Sequence, residues 1–427
     1  MDKYLKYFFL ILLIYSLIIA FLAITCDTFY TIKYGGIDLR NRVVGTRNLL
    51  VENDPYYTKW DVETPEYFVD GRDYQWLPVS RCTVPPSFLV LHVPFAKISY
   101  KTQQYLWFAA QELLLIFSIL LLAKAAGKKY KIVLIIGFMF FLGSSFWRFH
   151  VANGQIYILF VFIITAAYLV AKSTFKYRDF WSGFILGLAA SWRPPMILMG
   201  LPFIFYKKWK LIFGGIAGII VGFLSSLLLT GISTWQSYFS AMKIHGLFHS
   251  GLLQPELKIH PNSNFIEGVR NSFFSADVPS TDSSIQGVLY KFFGFVLDAK
   301  FLWLGFFVIV LLLGFSLWRK RKLSVPIEML FFQGTVLVLI SEFLLPAARL
   351  SYNNVIWLVP LSMLIIMVRD VKRLLNFPLI FLLIGFAANY LYNLFPRSIL
   401  IADYSILIYL IWMWFAMLRD NPLDPHI

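Results

Sequence analysis

Gly35-Gly36-Ile37-Asp38-Leu39-Arg40, running on to Asp54-Pro55-Tyr56-Tyr57, is the stretch on which the reading of this chain turns. It follows the first hydrophobic segment, so it lies where a helix leaves the membrane and meets water. Two successive glycines allow a tight exit, because glycine takes backbone angles that other residues resist. Asp38 is thereby expected beside the bilayer rather than on a free loop. A carboxylate held there is able to take a proton from a hydroxyl while a lipid-borne molecule approaches from the membrane. The plainer reading makes Asp38 the N-cap of the next helix, a common place for aspartate.

The surrounding composition sets the class. Of 427 residues, 59% are hydrophobic, 19% aromatic and only 14% charged, whereas a soluble chain is roughly half apolar and a quarter charged. The net charge of +15 (38 − 23) would suggest nucleic acid in a soluble protein. Here the basic residues cluster in short loops between apolar runs, the pattern that orients membrane proteins, and no nucleic-acid partner is expected. There is no C-x-x-C, no H-E-x-x-H and no Walker-type lysine loop, so no cofactor and no obligatory metal are expected.

The run from Phe8 to Thr25 exceeds the roughly 7–15 residues of a signal-peptide core and lacks a cleavage site, so it reads as a retained first span. A polar, acidic loop follows over 27–104. Within it Val84-Pro85-Pro86-Ser87-Phe88-Leu89-Val90-Leu91 is too short to span and reads as an interfacial helix started by its prolines. Cys26 and Cys82 fall on one side, and an oxidising compartment would allow a disulfide between them. Spans are expected over 105–123, 132–147 and 156–171, with a polar turn Arg148–Gln155 between the last two. Residues 180–206 carry basic clusters on both flanks, Lys176 and Arg178 before and Lys207, Lys208 and Lys210 after. A hairpin of two short arms keeps both clusters inside, with its apex at Ser191-Trp192-Arg193-Pro194-Pro195 in a protein-lined cavity. Crossings at 211–230, 301–317, 327–345, 352–368, 377–394 and 400–418 complete an all-α polytopic membrane protein of about twelve transmembrane helices with two large extracytoplasmic loops. The chain divides into an N-terminal module 1–230, a second outer loop 231–300 and C-terminal helices 301–427.

Polar groups gather at the outer helix ends: Asp38 and Arg40, Arg148, His150, Asn153 and Gln155, Arg193, then Arg349, Tyr352, Asn353 and Asn354, and Arg397. Outer arginines run against the usual bias toward the cytoplasm. Arginine forks onto phosphate oxygens, so the set suits a lipid phosphate arriving laterally. The alternative is that each arginine snorkels to headgroups.

These residues resemble glycosyltransferase family 87. Asp38-Leu39 followed by Asp54-Pro55-Tyr56 looks like the family's opening motif, and Val84-Pro85-Pro86-Ser87-Phe88 with Val93-Pro94-Phe95-Ala96 its loop helix. Asn153-Gly154-Gln155-Ile156-Tyr157 is similar to its "G-Q-v-N", with Tyr157 for asparagine. Trp192-Arg193-Pro194-Pro195 keeps a cation where the family has lysine. Asn262-Ser263-Asn264 and Leu350-Ser351-Tyr352-Asn353-Asn354 match two later segments, the first with its order altered and the second without its histidine. The resemblance covers roughly residues 10–370. It implies a GT-C fold, a polyprenyl-phosphate-linked sugar donor (mannose or another hexose or pentose), a glycan or glycolipid acceptor, membrane lipid as partner, and an inner (plasma) membrane location with the active side facing out.

By the same resemblance Asp38 is the general base, with Asp54 as runner-up although Asp-Pro-Tyr reads as a turn. Arg193, then Arg349, His150 and Arg148, are candidates for the donor phosphate. Arg40, Asn153, Gln155, Asn262, Tyr352 and Asn353 are candidates for sugar or acceptor hydroxyls. Two other classes share the outer arginines: a transporter or flippase of lipid-linked sugars, and a polyprenyl-pyrophosphate-dependent ligase or polymerase. No internal repeat of the transporter kind is present.

Overall fold

The first apolar run forms helix α1, Lys3–Tyr34, which continues past Cys26 instead of ending there. Asp27 explains the extension, because its buried carboxylate pairs with Arg148 at 3.2 Å and so stays inside the helix. The computed structural model of the protein describes residues 3–34, 36–57, 82–249, 282–321, 325–345, 347–368, 378–395 and 397–419. Every regular element among the described residues is helical.

Helices α2 (Ile37–Leu50) and α3 (Pro86–His92) flank the rest of the first polar region. The expected short helix is α3: Pro85 caps it and Pro86 takes its first position, where a missing N–H costs nothing. Helix α4, Tyr100–Ala125, begins where the Ser99 hydroxyl accepts the Thr102 N–H. Next come α5 (Tyr130–Ile135) and a π-helical stretch, Ile136–Leu142. The chain then bends by 60° before α6, Ser145–Asn153.

That bend corrects the sequence expectation of a straight third span followed by a polar turn. Two residues account for it. α1 crosses so close to Gly143 that a Cβ there would lie 2.3 Å from an Ile19 methyl, and Ser144 caps a fresh helix by accepting the Trp147 N–H. Arg148, His150 and Asn153 are consequently helical.

Helix α7 (Tyr157–Lys172) leads to α8 (Arg178–Trp192), which breaks at Arg193; a 3₁₀ turn, Pro194–Met199, and α9 (Gly200–Phe205) return from it. The break falls at the expected apex, where the residue before a proline is held extended, here at φ −145° and ψ 96°. Helix α10, Trp209–His249, is kinked at Gly231 and continues well into the region read as loop. It packs along α8 through a stripe of glycines. A Cβ on Gly183 or Gly187 would lie within about 2 Å of the Leu211 or Gly215 carbonyl, so the two backbones touch as small-residue helix pairs do.

The C-terminal part contains α11 (Ile285–Phe293), α12 (Ala299–Lys320), α13 (Ile327–Leu344), a 3₁₀ turn Ser351–Trp357 into α14 (Leu358–Met367), α15 (Leu379–Tyr390) and α16 (Ser398–Arg419). Helix α13 is the core: all its residues but Ile327 are buried. α1, α10 and α12 instead present large apolar side chains outward, among them Phe21, Leu228 and Leu311.

Six helices among the described residues are long and apolar enough to cross a bilayer, or seven if the bent pair counts as one. The chain is thus a multi-pass membrane protein. The other apolar helices are shorter, at 10–17 residues. Cys26 and Cys82 are both free thiols, Cys26 exposed and Cys82 buried, so the two form no disulfide here.

Candidate active site

Two glycines seat the first catalytic candidate. Gly36 precedes α2 at φ 68°, and Gly154 closes α6 at φ 68°, both in the left-handed region that favours glycine. The Gly36 N–H donates to the Ala152 carbonyl at 3.1 Å, and the Tyr100 hydroxyl donates to the Gly36 carbonyl at 2.8 Å. A Cβ on Gly154 would come within 2.7 Å of the Leu39 Cβ. The head of α2 is therefore pressed onto the end of α6. This contact brings Asp38 against Gln155, whose side-chain amide donates to the Asp38 carboxylate.

Asp38 is not the helix cap, a place taken by Gly36 without any side-chain bond. Its carboxylate faces a cavity of about 220 Å³ lined also by Asn41, Arg42, Cys82, Pro85, Gln155, Tyr157, Trp192, Arg193, Tyr238 and Tyr352. Burial raises the Asp38 pKa to about 6, with Arg42 and then Arg40 pulling it back. A carboxylate so tuned is ionised near neutrality yet basic enough to accept a proton. Burial lowers the Arg42 pKa to about 10, so Arg42 keeps its charge at neutral pH. One Arg42 Nη donates to the Gly154 carbonyl, while Nε has no hydrogen-bond partner among the described residues. The Cys82 thiol is pushed up to about 12 by burial and stays protonated.

Arg193, at the break after α8, lines the same cavity. Its guanidinium lies 4.2 Å over the Tyr157 ring and 5.6 Å over Phe160. Nη2 pairs with the Glu342 carboxylate at the end of α13, and Nη1 is buried with no hydrogen-bond partner among the described residues. Tyr352 reaches the same cavity, its ring against Tyr157 at 5.6 Å and Phe149 at 5.7 Å.

Four of the sequence candidates, Asp38, Gln155, Arg193 and Tyr352, thus share one cavity. The other described candidates lie outside its lining. Arg40 is buried within α2. Arg148 is held by Asp27 and lies over Tyr30. The His150 ring is wholly buried against Trp147, and its Nε2 accepts the Ile158 N–H at 3.3 Å. Asn153 donates back to the Phe149 carbonyl.

Arg349 is completely buried in a neighbouring network that meets Glu342 at 3.8 Å. It pairs with Asp403 and donates to Asn354 at 2.8 Å and to Ser283 at 2.8 Å. Asn353 donates to the far oxygen of Glu342 at 3.3 Å. Asp54 accepts the Tyr56 and Tyr57 N–H groups, which makes it the turn residue its Asp-Pro-Tyr context suggests. Asn262 falls outside the described residues.

Sequence reasoning missed Arg42 and Glu342. Arg42 had a signal, because it stands four residues after Asp38 on a helix and so shares its face. Glu342 had none, since it lies in an apolar run 149 residues from Arg193.

Compared with known proteins, residues 83–346, more than half of the chain, match Glycosyltransferase family 87. The matched span contains Gln155, Arg193 and Glu342, while Asp38 and Tyr352 lie on either side of it. No curated protein and no solved structure matches the chain.

Proposed function

The chain belongs to glycosyltransferase family 87 and is a membrane glycosyltransferase; from that premise we propose that it moves a single sugar from a polyprenyl-phosphate donor to an acceptor glycan or glycolipid, with inversion. The observation that carries this reading is one cavity lined by both a half-buried carboxylate, Asp38, and a cation with an unpartnered N–H group, Arg193. The acceptor hydroxyl attacks the sugar C1 and passes its proton to Asp38 as the new C–O bond forms. The bond from C1 to the phosphate oxygen breaks, and the charge left on the lipid phosphate is met by Arg193 and Arg42. The sugar passes through an oxocarbenium-like state. No second carboxylate is needed to protonate the leaving group, because phosphate already leaves well. Gln155 fixes one Asp38 oxygen, so the other faces the acceptor. Tyr157 carries the Arg193 guanidinium over its ring, and Tyr352 packs beside it at the same cavity.

In this reading the helices form a GT-C fold of about twelve crossings. The short helices near the cavity cross where protein encloses them, since non-helical backbone at membrane depth is tolerated only there. The cavity opens to the extracytoplasmic side of the inner (plasma) membrane.

The test is transfer of radiolabelled sugar from a panel of polyprenyl phosphates in purified membranes, wild type against Asp38→Asn. Wild type should use one donor and the variant should lose about 10²–10⁴ of the rate. Equal transfer by both would move the base elsewhere. No consumption of any donor by wild type would favour a transporter or a pyrophosphate-dependent ligase.

A further inference from the structure

Arg193 has one guanidinium edge tied down and one left over, and the tie is Glu342. Arg193 Nη2 donates to Glu342 Oε1, while Nη1 points into buried space without a hydrogen-bond partner among the described residues. The plane of the group is set by the Tyr157 and Phe160 rings. Those rings fix its height but leave it free to turn about its own axis. Among the described residues, the Glu342 carboxylate is the hydrogen-bond partner that fixes that turn.

Glu342 is itself held from behind. Its Oε2 accepts the Asn353 amide at 3.3 Å and lies 3.8 Å from Arg349 Nε. Its backbone belongs to the last turn of the buried α13. Its side chain is only 3% exposed, so it has little water to turn toward.

We propose that Glu342 is a positioning residue that aims the free edge of Arg193 at a phosphate oxygen in the cavity, with Asn353 holding Glu342 in register. The proposal rests on the reading of Arg193 as the phosphate contact given above. It makes a counterintuitive demand on charge. A carboxylate beside an anion site should weaken anion binding by Coulomb repulsion. Here losing its geometry should weaken binding further, because a forked donor binds phosphate only when its edge is presented.

The experiment measures binding of a fluorescent polyprenyl monophosphate to the full chain in detergent, with thermal unfolding as the control for folding. Glu342→Asp keeps the charge and withdraws the carboxylate by one methylene. It should weaken binding at least about ten-fold, the loss of one charge-assisted hydrogen bond. Arg193→Lys should do the same, and the double variant should bind no worse than Arg193→Lys alone, since one residue acts through the other. Asn353→Ala leaves the carboxylate in place and serves if Glu342→Asp does not fold. It should weaken binding by about three-fold in the wild-type background and not at all beside Arg193→Lys.

Unchanged or tighter binding by the Glu342 variant, strictly additive losses, or no binding by wild type would each overturn the proposal. Sugar transfer is assayed on the same preparations. A wild type that binds the phosphate lipid but transfers nothing sinks the transferase reading and leaves the aiming of Arg193 intact.

Discussion

At the scale of a single residue the proposed base is Asp38, and its surroundings set the pH at which it would work. A base must be ionised, and burial has lifted this carboxyl to about 6. Transfer by the wild type should therefore rise as pH increases through about 6 and level off above it. The Gln155 amide donates to the ionised form and so favours it. Gln155→Leu should move the rising limb to higher pH, which a pH profile of kcat/KM would register; an unmoved limb would mean that Gln155 does not act on the base. Asp38 was legible in the sequence from its place after two glycines, and Arg193 from its double proline. Glu342 was not legible. A lone acid in an apolar run reads as a buried oddity until its partner, far away in the chain, is placed beside it.

Among the elements, α2 matters most, because its seat on the end of α6 decides where Asp38 points. The seat depends on Gly154, whose φ is positive and whose missing Cβ lets Leu39 approach. Gly154→Ala would strain the backbone and push α2 outward. A loss on the order of 1–3 kcal/mol in stability is expected, with transfer falling more steeply than the unfolding temperature; thermal unfolding in detergent and the transfer assay together would show this. Full transfer in the alanine variant would refute the seating argument.

Element positions were largely readable, since apolar runs bounded by lysine clusters mark most helices and Pro85-Pro86 marks α3. The bend at Gly143 was not readable. It depends on α1 crossing that point, a contact between segments over a hundred residues apart. The continuation of α10 beyond 230 was not readable, because the polar residues there read as loop, whereas Trp235 and Tyr238 cluster with Tyr56, Tyr57 and Cys82.

For the whole molecule, the buried Arg349 network ties distant parts of the chain together. Asp403 on α16 accepts from Arg349, from Ser283 and from Asn354, and the Arg349 N–H is held in turn by Asp282. The sequence suggested Arg349 as a phosphate contact. In the fold its guanidinium is spent on Asp403 and Asn354. Removing the carboxylate with Asp403→Ala leaves a buried arginine without its main counter-charge, a loss of about 3–5 kcal/mol. A large drop in the unfolding temperature in detergent is the expected result, and an unchanged one would show that the network contributes little. The class of the protein and the family were readable from composition and motif order. The number of true crossings was not, because short helices enclosed by protein carry the same apolar signal as spans.

Arg349 also sits beside Glu342, the residue that ties Arg193. The described residues that line the cavity are all synthesised by residue 352, and Asp403 follows later in the chain. For that interval the residues of the cavity are present without the carboxylate that pairs with Arg349. Insertion of α16 is the step that brings Asp403 to Arg349, so the charge behind Glu342 is balanced only once that helix is in place.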